Sequence, residues 1–193
     1  MNHKVISARK FWTSTYKFTW AVVQRSSYKH FIKYTHNKDK SVILDIGTGT
    51  GEYIKMLAKN NQYIFTDIDE KALKKAEQRA QKYLSGSNWH IKVGDAKEIL
   101  ACREYPDIIS LIHVISLISD PQSFIKLALG NLNNNGELLI YVSQYPSNMQ
   151  RIYNMFMRLL NFNPLKIDNI LSSFNYSKER IGLFNYCYRI KNN

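Results

Sequence analysis

The residues VILDIGTGTGEY at positions 42–53 constrain the fold of this chain more than any other stretch. The stretch begins with mostly aliphatic residues, as a buried strand does, and Gly47, Gly49 and Gly51 follow. Glycine adopts positive φ angles easily and lets a ligand approach the backbone closely. The stretch therefore predicts a buried strand that leads into a ligand-binding loop, followed by a helix over residues 51–60 whose first N–H groups are free.

Strand-like and helix-like segments alternate over residues 41–144, which predicts an α/β fold with a doubly wound, mostly parallel sheet and helices on both faces. Strands are predicted at 41–46, 62–68, 89–95, 107–115 and 136–144, and helices at 51–60, 69–84, 97–103 and 120–132. Helices are also expected at 3–36 and 149–160, and two closing strands, joined by a short turn, at 174–182 and 184–191.

The length of 193 residues suits one domain with a sizeable core. We expect an N-terminal helical cap at 1–40, a ligand-binding core at 41–144, and a helical insert with closing strands at 145–193. No apolar run reaches the ~18 residues of a membrane span. The N-terminus lacks the continuous apolar core of a secretory signal, so the sequence predicts a cytoplasmic protein.

Cys102 and Cys187 are the only two cysteines. Without a secretory signal, such a pair is expected to be two reduced thiols. No Cys/His spacing resembles a zinc site, so we predict no metal.

The net charge of +12 is concentrated at the two ends of the chain. Residues 1–40 carry nine Lys/Arg against one acid, and residues 145–193 carry seven against two, whereas residues 41–144 carry 11 against 12. One interpretation is a general bias toward Lys, with all charges solvated. The other is that the ends contact something anionic, namely a substrate, a membrane surface or RNA.

Acidic residues follow the predicted strands where a ligand would lie, because doubly wound sheets bind ligands beyond the carboxyl ends of their strands. Asp67 lies 20 residues after Gly47, the separation at which an acid accepts hydrogen bonds from ribose hydroxyls. Asp95 follows the third strand and could accept from an adenine amino group, and Asp45 precedes the glycine loop. Each acid alone could instead be a helix cap or a solvated loop residue.

Glu52 stands where the dinucleotide-binding fingerprint G-x-G-x-x-G has its third glycine. An acid at that position would repel a pyrophosphate. A ligand with a cationic amine and a sulfonium, as in S-adenosylmethionine (SAM), suits an acidic loop better than NAD does.

The segments VILDIGTGTGEY, FTDIDEKAL, VGDAKEI and PDIISLIHVI resemble the successive motifs of the class I SAM-dependent methyltransferases. The resemblance covers residues 41–144. It implies a Rossmann-like sheet of seven strands, the last of them antiparallel, with SAM as the cofactor and S-adenosylhomocysteine as the product.

The resemblance also implies roles for individual residues. The glycine loop would line the methionine part of SAM, Asp45 would help hold its amino group, and Asp67 would bind the ribose hydroxyls. Ile68 would flank the adenine, and Asp95 with Ala96 would contact its edge. The cofactor-binding residues implied or expected are Asp45, Gly47, Thr48, Gly49, Gly51, Asp67, Ile68, Asp95, Ala96 and Ile112, with Tyr16 and Trp12 placed to close over SAM unless their helix simply packs on the sheet.

The segment PDIISLIHVISLISDPQSFIKLALGNLNNNGELLIYV is similar to the small-molecule branch typified by quinone-biosynthesis methyltransferases. It keeps the first histidine of that pattern, His113, but has Leu117 in place of the second. His113 is the candidate catalytic residue, as an acid, a base or an orienting group. The alternative is a structural histidine bonded to a loop carbonyl.

These features predict an enzyme that transfers a methyl group from SAM to an O or N atom of a small, hydrophobic or anionic metabolite. The alternatives are an RNA methyltransferase whose basic ends bind phosphates, and a non-catalytic SAM-binding partner subunit. No N-P-P-Y/F motif follows the fourth strand, which weakens the case for nucleic-acid methylation. The basic, aromatic ends are expected to cover the acceptor or to dock on an anionic membrane surface.

Overall fold

A computed structural model describes residues 24–86, 88–102, 104–145 and 166–192. Residues 24–36 are helical and are named α1 here. The predicted helix at 149–160 and the N-terminal part of the helix at 3–36, with Trp12 and Tyr16, lie outside the described residues. Within the described ranges, no helix has both the length and the apolarity of a membrane span.

After α1, strands and helices alternate as predicted. The strands are β1 (Val42–Ile46), β2 (Gln62–Asp67), β3 (Trp89–Val93), β4 (Ile108–Ile112), β5 (Glu137–Ser143), β6 (Tyr176–Arg180) and β7 (Asn185–Lys191). The helices are α2 (Glu70–Tyr83), α3 (Ala96–Ala101), α4 (Pro121–Gly130) and α5 (Ile167–Leu171), and two 3₁₀ turns span Ile54–Met56 and Ile115–Leu117.

The strands form one seven-stranded sheet in the order β3-β2-β1-β4-β5-β7-β6. Strands β1 to β5 pair in parallel, and β7 pairs antiparallel with both β5 and β6. The order reverses at β1, which lies between β2 and β4. This confirms the predicted doubly wound sheet with a C-terminal antiparallel hairpin.

Each face of the sheet buries its own apolar core, because successive residues of a strand point to opposite faces. In β1, Leu44 belongs to the core that also contains residues of α3, α4 and α5, whereas Ile43 belongs to the core with residues of α1 and α2. Helix α2 buries one apolar face, with Leu73, Ala76 and Ala80 at most 1% exposed. Helices therefore cover both faces, as expected.

The ends of two predicted helices follow the expected capping chemistry. The Asp69 carboxylate accepts hydrogen bonds from the N–H groups of Lys71 and Ala72 at the start of α2. Asp120 caps α4 in the same manner, and Pro121 occupies the first turn. These caps fix where the polypeptide leaves the carboxyl edge of the sheet.

The helix predicted over residues 51–60 is wrong, since only a single 3₁₀ turn, Ile54–Met56, forms there. Tyr53 is 1% exposed with its hydroxyl bonded to Asp45, and Leu57 adopts an extended backbone. Asn61 is buried and bonds the Ser41 N–H and the Thr35 carbonyl, which brings the chain back to the start of β2. These tertiary contacts outweigh the weak helix preference of a ten-residue segment.

The strand predicted at 107–115 is also too long, because β4 ends at Ile112. His113 has a φ of 59°, which ends the extended backbone, and Ile115–Leu117 forms a 3₁₀ turn. The apolar run continues past the strand because Ile115, at 1% exposed, still reaches the core.

The two cysteines lie in different environments, and both are free thiols. Cys187 is buried in β7, and burial raises the pKa of its thiol to about 12. Cys102 is exposed beyond the end of α3.

Candidate active site

The glycine loop after β1 lies between the ends of β2 and β4. The N–H groups of Gly47 and Thr48 both donate to the carbonyl of Thr66, near the end of β2. Gly47 also abuts Val114, which follows β4, because a Cβ at Gly47 would overlap the Val114 side chain. The sheet order thus brings the predicted motifs of three strands to one place.

All three glycines of the loop have positive φ angles, of 78° at Gly47, 61° at Gly49 and 65° at Gly51. A Cβ at Gly51 would overlap the side chain of Ile54, so this glycine is required for close packing. A Cβ at Gly49 would meet no atom within 4 Å. The loop is therefore packed against the protein at both ends and open in the middle.

Two N–H groups of the glycine loop are hydrogen-bonded within the protein. The N–H of Gly49 donates to the Asp67 carboxylate at 2.8 Å, and the N–H of Gly51 donates to the Thr48 carbonyl at 3.2 Å. No α-helix begins at this loop, so no helix N-terminus points toward a ligand.

Asp45 is the most buried acid of the site, with 2% of its surface exposed. Its carboxylate accepts hydrogen bonds from three hydroxyl groups, those of Thr48 at 2.7 Å, Ser110 at 2.5 Å and Tyr53. Burial raises the pKa of Asp45, and the three hydroxyls only partly offset this effect. No ion pair to Asp45 occurs among the residues that the structure describes, and its described hydrogen-bond donors are the three hydroxyl groups.

Asp67 ends β2 and is 3% exposed. One carboxylate oxygen accepts from the Gly49 N–H, and the other accepts from the Asp69 N–H at 2.9 Å. Asp67 therefore fixes the open middle of the glycine loop to the start of α2. A carboxylate at this strand end is the type of group that accepts hydrogen bonds from vicinal hydroxyls.

The other predicted cofactor-binding residues differ in how far they are exposed to solvent. Ile68 is 39% exposed beyond β2, as a residue that covers a ligand ring must be before the ligand binds. Ile112 is 7% exposed at the end of β4, and Ala96 is partly buried in the first turn of α3. Asp95 is exposed and caps α3, accepting a hydrogen bond from the Lys97 N–H in a capping box with Glu98. This is the helix-cap role that the sequence analysis gave as the alternative for each acid.

Glu52 does not add free negative charge to the loop. Its carboxylate pairs with the Arg79 guanidinium at 2.6 Å, and Arg79 also donates to the Thr50 carbonyl at 2.5 Å. The position still lacks the glycine that a dinucleotide fingerprint requires. The acidity of the site therefore comes from Asp45 and Asp67 instead of Glu52.

His113 lies directly after β4, and its Nε2 is 2.9 Å from the Ser27 hydroxyl on α1. Its backbone N–H donates to the Tyr141 carbonyl at 3.0 Å. Burial lowers the pKa of His113 to about 4, so the imidazole is neutral at pH 7. A neutral imidazole can donate one hydrogen bond and accept another, but with this pKa it is a weak base.

Three residues of this site were missed by the sequence analysis: Ser27, Tyr53 and Ser110. Ser110 was detectable in principle, since it is the one polar residue in the otherwise apolar strand IISLI. Tyr53 and Ser27 gave no comparable signal, because only the packing of α1 and of the 3₁₀ turn brings them to the strand ends.

The arrangement fits a compact organic cation that also carries hydroxyl groups. Asp45 supplies negative charge without a described cationic partner, Asp67 supplies acceptors beside an open glycine, and Ile68 supplies apolar cover. SAM combines a cationic sulfonium and amine with a ribose and an adenine, and the residues present fit each part. Among the described residues, no cluster of His, Cys, Asp or Glu could hold a metal ion.

A protein-family model described as a methyltransferase domain matches residues 37–177 of the chain. The curated proteins contain no significant match to it. Among solved structures, magnesium protoporphyrin IX methyltransferase from Synechocystis PCC 6803, with bound S-adenosylhomocysteine, aligns with a TM-score of 0.73 and 15% identity over 100% of both chains.

Two further solved structures differ in the atom that their names specify. The N-methyltransferase NodS from Bradyrhizobium japonicum WM9, in complex with S-adenosylhomocysteine, has a TM-score of 0.66 and 16% identity over 87% of this chain and 86% of its own. The CurJ carbon methyltransferase has a TM-score of 0.63 and 17% identity over 88% of this chain. The present chain spans only 54% of the CurJ chain.

The family match covers most of the chain, and the observed sheet carries its glycine loop and strand-end acids in the order that the sequence predicts. The chain therefore belongs to the methyltransferase domain family, and its fold is that of the class I SAM-dependent methyltransferases.

Proposed function

We propose that this protein is a SAM-dependent methyltransferase that methylates an O or N atom of a small, hydrophobic or anionic metabolite. The observation that carries the proposal is the pair Asp45 and Asp67 around the open Gly49. Asp45 has no cationic partner among the described residues, and Asp67 accepts a hydrogen bond from the N–H of Gly49, where an added Cβ would meet no atom within 4 Å. The proposal keeps the cytoplasmic location that the sequence predicts.

The residues of the glycine loop would hold the methionine part of SAM. When bound, SAM supplies an activated methyl group on its sulfonium. Asp45 would attract the cationic end, through its remaining lone pairs or through the loop that it anchors by Thr48. Asp67 would accept from the ribose hydroxyls, Ile68 and Ile112 would flank the adenine side, and Asp95 with Ala96 would lie at its edge.

His113 would orient the acceptor and would not act as a strong base. With a pKa of about 4, it stays neutral at pH 7 and holds a proton only weakly. A neutral imidazole can still align an acceptor hydroxyl or amine by a hydrogen bond. Orientation alone contributes much of the rate when two reacting groups are held in line.

The acceptor class is inferred from the surfaces around the site. Leu117, in the 3₁₀ turn after β4, is 49% exposed, and Ile68 after β2 is 39% exposed. Both follow strands at the carboxyl edge, where acceptors would bind. Exposed apolar side chains at this edge favour an acceptor with a hydrophobic part.

The outer face of α1 carries Arg25, Lys29 and Lys33, four residues apart and all exposed. Exposed Lys55, in the nearby 3₁₀ turn, and exposed Lys59, three residues after that turn, add to these cations, since the His36 ring lies 2.9 Å from the Met56 carbonyl. None of these five cations forms an ion pair with another described residue. We propose that this basic face, named here the α1 outer face, contacts an anionic lipid surface or an anionic acceptor.

An RNA methyltransferase is the second candidate, and the α1 outer face is the observation that favours it. Single-stranded RNA binding usually combines cations with exposed aromatic side chains for base stacking. Within residues 24–61, no Phe, Tyr or Trp is exposed. The lack of an N-P-P-Y/F motif after the fourth strand makes RNA the weaker candidate, and binding to a labelled oligonucleotide that falls steeply with salt would support it.

A screen of acceptors tests the proposed function. Purified protein, SAM and small-molecule pools are incubated, and release of S-adenosylhomocysteine is measured together with the mass of the methylated product. We expect product from hydrophobic or anionic acceptors with a hydroxyl or amine. Turnover of cationic acceptors alone would contradict the acceptor class. Titration calorimetry that detects binding of neither SAM nor S-adenosylhomocysteine would contradict the cofactor.

A further inference from the structure

The hydrogen bond between Ser27 and His113 joins α1 to the end of β4. Ser27 is 0% exposed, and its Oγ lies 2.9 Å from His113 Nε2. The two residues are 86 positions apart, so the packing of α1 creates this contact. The hydrogen bond at one ring nitrogen of a histidine sets which nitrogen carries the proton and how the ring is oriented.

The backbone of His113 is held independently of its ring. Its N–H donates to the Tyr141 carbonyl of β5, and its φ of 59° is uncommon for a residue with a side chain. Such backbone conformations persist where the surrounding structure imposes them, and they concentrate at functional sites. With β5 fixing the backbone and α1 contacting the ring, few orientations of the imidazole remain.

The position of α1 is in turn tied to the glycine loop. Phe31 of α1 packs edge-on against Tyr53 and Tyr141, with ring centroids 5.6 and 6.2 Å apart. The Tyr53 hydroxyl donates to Asp45, which anchors the loop. Tyr53 therefore contacts both α1, the helix that carries Ser27, and Asp45, which anchors the glycine loop.

We infer that Ser27 is a positioning residue of the active site, which holds the His113 ring in one orientation and one tautomer at the mouth of β4. The inference rests on the proposed function, since the orientation matters only where an acceptor binds. Ser27 acts through His113. Because burial keeps the imidazole neutral at pH 7, it carries a single ring proton, and the Ser27 hydroxyl can pair with Nε2 as donor or as acceptor and so hold whichever tautomer the site adopts.

The matched pair Ser27→Ala and Ser26→Ala tests this inference. Ser26 is the neighbouring residue of α1, and its hydroxyl bonds Asn185 of β7. Ring-nitrogen NMR of ¹⁵N-histidine protein, with His113→Gln to assign the signal, reports the tautomer. We expect one tautomer in the wild type and in Ser26→Ala, and a shift toward exchanging tautomers in Ser27→Ala. An unchanged His113 signal in Ser27→Ala overturns the inference.

Turnover separates positioning from a merely structural role. On an acceptor identified by the screen, Ser27→Ala should lower kcat about ten- to a hundredfold with KM within about twofold of the wild type. Ser27→Thr, which keeps the hydroxyl, should restore the His113 signal. Equal kcat losses in Ser26→Ala and Ser27→Ala would overturn the inference. Absence of SAM binding by the wild type would instead refute the proposed function, while the NMR result would still decide the role of Ser27.

Discussion

Two buried carboxylates lie at opposite edges of the same sheet and are held in opposite ways. Asp45, at the carboxyl edge, is 2% exposed and accepts hydrogen bonds from hydroxyl groups. Glu137, at the start of β5, is 6% exposed and accepts from the Tyr34 hydroxyl and from Lys38 at 3.0 Å, with Arg189 at 3.9 Å.

The pKa values of the two carboxyls shift in opposite directions for this reason. Burial raises the pKa of Asp45, and hydroxyl groups alone do not reverse the rise. Burial acts on Glu137 as well, but the hydrogen bonds from Tyr34 and Lys38 hold its pKa below the ordinary value. Glu137 is paired with two cations and bonds Tyr34 of α1, whereas the described partners of Asp45 are hydroxyl groups and no cation.

The largest expected loss of stability comes from a substitution in the glycine loop, at the carboxyl edge of the sheet. In Gly47→Ala, the new Cβ overlaps Val114 at a φ of 78°, and we expect a loss of about 3 kcal/mol in the free energy of unfolding. Gly49→Ala is the matched control, with a similar φ but no neighbour within 4 Å, and should lose only about 1 kcal/mol. Denaturant unfolding measures both.

The same pair of variants also tests where the ligand lies. The Cβ of Gly49→Ala enters the open space in which we place SAM, so this well-folded variant should lose SAM affinity. Calorimetric binding by Gly49→Ala equal to that of the wild type would contradict this location.

Glu137→Gln tests the opposite edge of the sheet, where β5 begins. The substitution removes the carboxylate that pairs with both Lys38 and Arg189. We expect a loss of about 2 kcal/mol at pH 7 and unchanged SAM affinity. Because the pKa of Glu137 is lowered on folding, its stabilisation is full above the ordinary carboxyl pKa and disappears as the pH falls through the lowered value. A difference from the wild type that persisted at pH 2 would contradict this electrostatic origin.

Asp45→Asn is expected to change stability less than Glu137→Gln does, and to lower the affinity for SAM, which Glu137→Gln leaves unchanged. Folding raises the pKa of Asp45, so its ionised form costs stability as the pH rises from the ordinary to the raised value. The amide removes that cost, so the free energy of unfolding at pH 7 should change by less than about 1 kcal/mol. The affinity for SAM should fall about tenfold, or ~1.4 kcal/mol. A large loss of stability with intact SAM affinity would make Asp45 a purely structural residue.

The smallest effect is expected at the α1 outer face, away from both buried carboxylates. Lys33→Ala should weaken binding to vesicles that contain anionic lipid by about 1 kcal/mol, or roughly fivefold. Lys74→Ala, at an exposed position of α2, removes the same charge elsewhere. Equal weakening by both variants in a flotation assay would show that only the net charge matters.

The sequence was sufficient to predict the sheet, since apolar strand segments alternate with helices that have an apolar face or an N-terminal cap. The apolar face of α2 and the cap at Asp120 illustrate this, because both depend on neighbouring residues alone. The segment 51–60 was predicted wrongly because buried contacts of Tyr53 and Asn61 override its local preference. The quinone-biosynthesis branch remains a prediction.

The active site was predictable only where a motif occupies consecutive residues. The loop with Asp45, and Asp67 at the end of β2, follow from strand and spacing arguments. The contact of Ser27 with His113 joins residues 86 positions apart, and the neutral state of His113 follows from burial. Neither can be derived from local sequence, because both require the docked position of α1.

The central claim is that the carboxyl edge of the sheet binds a cationic nucleoside through Asp45 and Asp67. Titration calorimetry of the wild-type protein with SAM and, separately, with NAD tests it most directly. The account predicts that SAM binds at one site and NAD does not, because Glu52 occupies the position at which the dinucleotide fingerprint has its third glycine. Binding of NAD without binding of SAM would contradict the account.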